Sequence, residues 1–195
     1  MEANSLEIPD DADARRSRLN TWVAITVALL ATFIGISKVK DDNIVQAMQQ
    51  AQADKLDHWA FYQARNIREE IARAERTSLE LQMAAAPASR RAAYDSAVVR
   101  YKALELDQLT KKREVQGQAE QDQKTYDALN YRDDQFDLAD ALLAIAISLL
   151  ALTSLTQKKW LYWAAMIPTA LGVLIGLAGL LGWHVHPDSI ARLLS

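Results

Sequence analysis

Apolar residues are not spread evenly along the chain; they gather in three long runs with almost no charge inside them. The first, Thr21–Ser37, reads TWVAITVALLATFIGIS, 17 uncharged residues at the short end for a membrane span. The second runs from Leu138 to Thr156, with one carboxylate, Asp140, two residues inside its start. A charge there can sit in the headgroup layer and complements the positive end of the helix dipole. The third, 160–183, carries tryptophan at both ends, Trp160 and Trp183, as an interfacial aromatic belt does. Three such runs would overwhelm the polar surface of a small soluble domain. In a bilayer each backbone group must be paired internally, which a helix achieves. The first run is followed by SKVKDD, not by a small-residue cleavage site, so it reads as an anchor and not as a signal peptide.

Between the first and second runs the pattern changes. Residues 38–137 are rich in Ala, Gln, Glu, Arg and Leu, all strong helix formers, and from 39 to 137 they hold one proline, Pro87, and one glycine, Gly117. The stretch predicts two helices, about 42–86 and 88–137, with a turn near 86–90 and Ser89 as a cap. A 3-4 spacing runs through Ala60, Ala64, Ile67, Ile71, Ala74, Ser78 and Leu81, and a second through Tyr94, Ala97, Tyr101, Leu104, Gln108, Lys111 and Val115. These stripes predict a coiled-coil-like antiparallel hairpin whose ends return to one membrane face. Unbroken into the spans, such a hairpin would project roughly 60–70 Å. Arg65–Glu69, Glu69–Arg73 and Arg76–Glu80 are spaced to pair along the first helix. Lys38 and Lys40 would lie beside Asp137 and Asp140 as an ionic collar.

The fold expected is therefore all-α. It has a flexible N-terminal tail (1–20), spans at 21–37, 138–156 and 160–183, the hairpin at 38–137, and a C-terminal tail (184–195). Gly172, Gly176 and Gly179 mark a small-residue packing face whose partner is the second span or another subunit. Arg15, Arg16 and Arg18 precede span one, and Lys158 and Lys159 fill the short loop between the other two. The positive-inside rule places these in the cytoplasm and the hairpin outside, periplasmic in a Gram-negative cell. Lys38, Lys40, Arg132 and Arg192 oppose that bias.

Overall composition adds mainly exclusions. Twenty-two basic against 25 acidic residues give a formal charge of −3, so no nucleic-acid partner is expected. With no cysteine there is no disulfide or thiolate metal site. His58, beside Asp57, reads as a polar helix position with no nucleophile or pocket. His184 and His186 with Asp188 have an H-x-H spacing able to ligate a metal only on an extended backbone, and read as headgroup-level residues. No cofactor is expected. Trp59, Tyr62, Gln63 and Arg65, with Phe61, form the best candidate interaction patch; the alternative is that Trp59 and Tyr62 pack against the second helix.

Residues 40–71, KDDNIVQAMQQAQADKLDHWAFYQARNIREEI, resemble a bacterial membrane family known as domain-of-unknown-function family 4337. The resemblance rests on Trp59, Tyr62, Gln63 and Ala64, with Asp42, Asn43 and Gln52 before them. Arg65 stands where the family typically has lysine. It implies one N-terminal span, a helical middle and two C-terminal spans, and no known reaction. The function expected is a non-enzymatic scaffold in the bacterial inner membrane, whose partners are the bilayer and either further copies of itself or a membrane or periplasmic protein. An oligomeric transporter or channel subunit is the first alternative; it would have to rely on hydroxyls such as Thr26, Thr32, Ser148 and Thr169. A membrane enzyme is the second.

Overall fold

The computed structural model describes the backbone of residues 11–183, with side chains at Arg16 and from Arg18 onward. It is all-α: α1 (Asp11–Ala85), α2 (Ala88–Thr156) and α3 (Lys159–Leu181). The helix-forming middle joins the apolar runs without a break, so α1 has 75 residues and α2 has 69. Residues 11–20, expected as tail, are the first turns of α1. Pro87 separates the two long helices, because its ring disfavours a helical conformation in Ala86 before it. Its carbonyl accepts the first bond of α2 from the Arg90 N–H at 2.9 Å. Ser89 consequently lies inside the first turn and is not the cap.

All three helices contain a stretch long and apolar enough to cross a membrane. Tertiary contacts divide the chain into two units. One holds Met1–Gln46 with Leu129–Ser195, and the other is Ala47–Ala128.

In the first unit the apolar runs pack around Val23, Leu30, Leu143, Ala146, Leu150 and Ala165. Lipid tails are as apolar as leucine, so burial alone does not hold such helices together; close packing does. The glycines of α3 provide it. A Cβ on Gly172 would come within 2.9 Å of Leu143, one on Gly176 within 2.9 Å of Phe33, and one on Gly179 within 3.1 Å of Phe136. The face therefore lies against the chain's own α2 and α1. Pro168 sits inside α3 and has no N–H to donate, while the Thr169 hydroxyl bonds the Ala165 carbonyl one turn back.

Both ends of this unit are tied by side chains. At one end Gln157 donates to Asn20 at 2.9 Å, joining the α2–α3 turn to the start of the first run. Gln157 itself sits in the left-handed region at φ 57°, a strained position for a non-glycine residue. At the other end α3 closes on Gly182, φ 72°, with Trp183 N–H bonding the Ala178 carbonyl at 2.8 Å. Arg132 and Gln135 of α2 donate to the Gly179 and Trp183 carbonyls, which satisfies acceptors left over at that helix end.

The second unit joins residues 47–85 of α1 to residues 88–128 of α2. Its buried and half-buried seam departs from the stripe predicted on α1 and shares four positions with the stripe predicted on α2. On α1 it holds Ala51, Lys55, His58, Tyr62, Arg65, Glu69, Ala72, Arg76, Leu79 and Met83. On α2 it holds Tyr94, Val98, Tyr101, Glu105, Gln108, Lys112, Val115, Ala119, Asp122 and Tyr126. Both sets alternate steps of four and three. Of the stripe expected on α1, Ala64 and Ser78 are half-buried, while Ile67 is 58%, Ile71 62% and Leu81 70% exposed. On α2 the expected Tyr94, Tyr101, Gln108 and Val115 are partly or fully buried, while Leu104 and Lys111 are exposed. The expectation followed apolar residues, whereas the contact between these helices is largely polar.

Candidate functional site

Two polar clusters stand out, one in each unit. In the unit of the apolar runs, the carboxylates of Asp41, Asp42, Asp133, Asp134, Asp137 and Asp140 collect where those runs meet the helical middle. Asp41 is 2% exposed and accepts from Lys38 Nζ at 2.6 Å. Lys38 also reaches Asp42, at 3.7 Å. Its ammonium is held above its usual range, first by the hydrogen bond to Asp41 and then by that carboxylate's charge. Asp133 lies beside Asp41, whose carboxyl favours the protonated form of Asp133. Burial is the largest cause that pushes Asp133 up to about 6; the neighbouring Asp41 carboxyl and the charge of Asp137 add to it. Asp137 is raised as well, by burial and then by Asp41, against the pull of Lys38. Lys38 lies within electrostatic reach of Asp137 and Asp140, as the expected collar requires, while its direct pairs are with Asp41 and Asp42 of α1. Acids outnumber bases there.

In the Ala47–Ala128 unit, a ladder of charged and polar pairs runs between α1 and α2. Lys55 donates to Gln123 at 3.0 Å and lies 5.7 Å from the centre of the Tyr126 ring. His58 Nδ1 and Asp122 Oδ2 are 2.6 Å apart; the carboxylate only accepts, so Nδ1 carries the proton. Arg65 donates to Gln108 at 3.2 Å, and Lys112 to Asn66 at 3.1 Å. Glu69, 2% exposed, pairs with Arg73 at 2.8 Å and with Lys112 across the unit. Glu105 accepts from both Arg73 and Arg76 at 3.0 Å. Its carboxyl is held below its usual range, first by the Arg73 bond. Of the pairs expected along α1, Glu69–Arg73 and Arg76–Glu80 form, while Arg65 turns to Gln108.

The candidate interaction patch is divided by this geometry. Trp59 and Gln63 are exposed, and Tyr62 and Arg65 lie half-buried in the seam. Trp59 meets Tyr62 edge-on at 5.3 Å, and Lys112 lies 5.9 Å over the Tyr62 ring. His58, expected as a plain polar position, belongs to the seam. The signal that finds it is the seven-residue spacing of Ala51, His58, Arg65, Ala72 and Leu79, which counts position and not polarity. His184, His186 and Asp188 lie outside the described residues. Among the described residues no group of three His, Asp or Glu side chains is placed to hold a metal.

Taken with the packed glycine face, the three apolar helices define a multi-pass, all-α membrane protein. The chain belongs to the family described as domain of unknown function DUF4337, which it matches over residues 19–182. No curated protein and no solved structure matches it.

Proposed function

We propose that the protein is a non-enzymatic scaffold of the bacterial inner membrane that displays its Ala47–Ala128 unit as an antiparallel, coiled-coil-like hairpin and self-associates through it. One observation carries the reading: the apolar stripe of Leu56, Ile67, Ile71 and Leu81 is exposed, while the seam beside it is polar. Exposed apolar side chains in register along a helix are the usual signature of a contact with another protein. Burying each isoleucine against a second copy would contribute about 2 kcal/mol. The antiparallel arrangement is supported by the seam pairs, which run from Lys55–Gln123 to Arg76–Glu105, one number rising as the other falls. Trp59, Gln63 and Phe61 offer a further surface for a membrane or periplasmic partner. Arg16, Arg18, Lys158 and Lys159 favour a cytoplasmic N-terminus and an external hairpin.

The cysteine-free chain makes the test direct. Ile71→Cys, oxidised in native membranes, is expected to yield a disulfide-linked dimer, and Lys102→Cys is not. Pro87→Cys is expected to react with an impermeant thiol reagent added outside. A chain that stays monomeric and purifies without a protein partner overturns the scaffold. Labelling of position 87 only after lysis overturns the orientation.

A further inference from the structure

At the end of the membrane unit opposite the carboxylates, the start of the first apolar run and the start of α3 enclose a recess of about 530 Å³, lined by Arg18, Leu19, Trp22, Lys159, Tyr162 and Trp163. Its shape is set by bonds that do not involve the two cations. Asn20 accepts from Gln157 at 2.9 Å and from Ser154 at 3.3 Å, which holds the α2–α3 turn against α1. The Thr26 hydroxyl donates to the Trp22 carbonyl at 2.9 Å, so the Tyr162 hydroxyl, 3.2 Å away, is the donor of the pair it forms with Thr26. Tyr162 in turn meets Trp163 edge-on at 5.9 Å. Among the described residues, neither Arg18 nor Lys159 is paired with an acid.

Two cations without an acidic partner among the described residues, an apolar wall and aromatic rings thus converge at the starts of two apolar helical stretches. We propose that this recess binds one anionic glycerophospholipid, its phosphate between Arg18 and Lys159 and an acyl chain along Leu19 and Trp22. Charge complementarity favours an anionic headgroup, because basic pockets between membrane helices attract them. Arginine adds planar, two-pronged recognition of phosphate oxygens, and lysine adds a point charge. Trp22 and Trp163 are exposed and belong to the aromatic class that settles at headgroup level. A soluble phosphate would use the cations but leave the apolar wall empty, whereas a lipid uses both. The site lies in the unit of the spans and does not depend on what the Ala47–Ala128 unit binds.

The test uses the full chain in mild detergent, titrated with phosphatidylglycerol or phosphatidylcholine of matched acyl chains and read by native mass spectrometry. One phosphatidylglycerol is expected to stay bound under conditions that strip phosphatidylcholine. The double variant Arg18→Gln, Lys159→Gln is expected to hold it roughly 30-fold more weakly, given the contribution of a basic residue near an anionic surface. Arg16→Gln, Lys158→Gln, outside the recess, is expected to bind as the unchanged protein does. Matching helical content and melting temperature in both variants excludes misfolding as the cause. Equal retention of the two lipids overturns the site, as does full retention by the Arg18, Lys159 variant. Complete competition by inorganic phosphate at millimolar concentration overturns the lipid as occupant, and tighter lipid binding after deletion of residues 1–10 assigns the recess to the chain's own acidic N-terminus instead.

Discussion

Gly172 has no room for even one more carbon. A Cβ there would meet Leu143 at 2.9 Å and the Ala139 carbonyl at 3.2 Å, and the backbone atom cannot rotate away. Gly172→Val should destabilise the protein by about 2 kcal/mol through overpacking. Gly35→Ala, with nothing within 4 Å of the new atom, should be neutral or mildly stabilising. Melting temperatures of the two variants in the same detergent check the contrast. Glu69 is the matching residue in the other unit. Its buried carboxylate balances Lys112 and Arg73, so Glu69→Ala strands a half-buried lysine and should cost about 3 kcal/mol. Arg73→Ala, at an exposed position with Glu69 still paired to Lys112, should cost far less than Glu69→Ala. Denaturant titration of both variants separates a buried pair from a surface one. The glycine positions were legible in sequence because small residues recur at helical spacing. The importance of Glu69 was not, since along α1 it looks like any other member of an alternating charge pattern.

At the scale of the element, the two clusters respond to pH with opposite signs. Asp133 is raised from 3.8 to about 6, so between those values the folded chain holds more proton than the unfolded one. Stability from this group therefore falls as pH rises through that window, and at pH 7 its ionisation is fully unfavourable. Asp137 is shifted in the same direction. Glu105 is lowered, so its stabilisation is present above its ordinary value of 4.5 and is lost as pH falls through its lower folded value. Asp133→Asn should therefore raise the melting temperature at pH 7 and flatten its dependence between pH 4 and pH 6. A melting temperature at pH 7 unchanged by that substitution would contradict a half-buried Asp133 whose ionisation is disfavoured in the fold. Composition shows that acids flank the apolar runs at Asp41–Asp42 and Asp133–Asp134. Only the packing of α2 beside α1 brings Asp133 near enough to Asp41 for the one carboxyl to shift the other.

For the whole molecule, the apolar stripe and the polar seam predict how assembly responds to mutation. Ile67→Glu with Ile71→Glu should leave helical content unchanged, because both residues are exposed. The same pair should weaken self-association at least tenfold, on the scale of about 2 kcal/mol for each isoleucine removed from an interface. Photobleaching step counts in reconstituted membranes would check it, and an unchanged oligomer would remove the stripe from the interface.

What the amino-acid sequence determined by itself is the class of the protein: three apolar runs, the Pro87 break and the helix-rich middle are local properties, readable because hydropathy and propensity act over short windows. The glycines and their spacing belong to the same category. Tertiary structure alone decided which stripe of the middle segment is buried. Apolar periodicity pointed to Ile67, Ile71 and Leu81, yet the buried face carries His58, Arg65, Glu69 and Arg76. The physical reason is that a buried polar stripe is stable only when each member finds its partner on the other helix. Such pairing between distant residues leaves no periodic apolar trace in α1, whereas on α2 Tyr94, Tyr101 and Val115 still mark the seam. The same holds for the recess of Arg18 and Lys159, whose charges lie far apart in the chain and meet only because the helices bring them together.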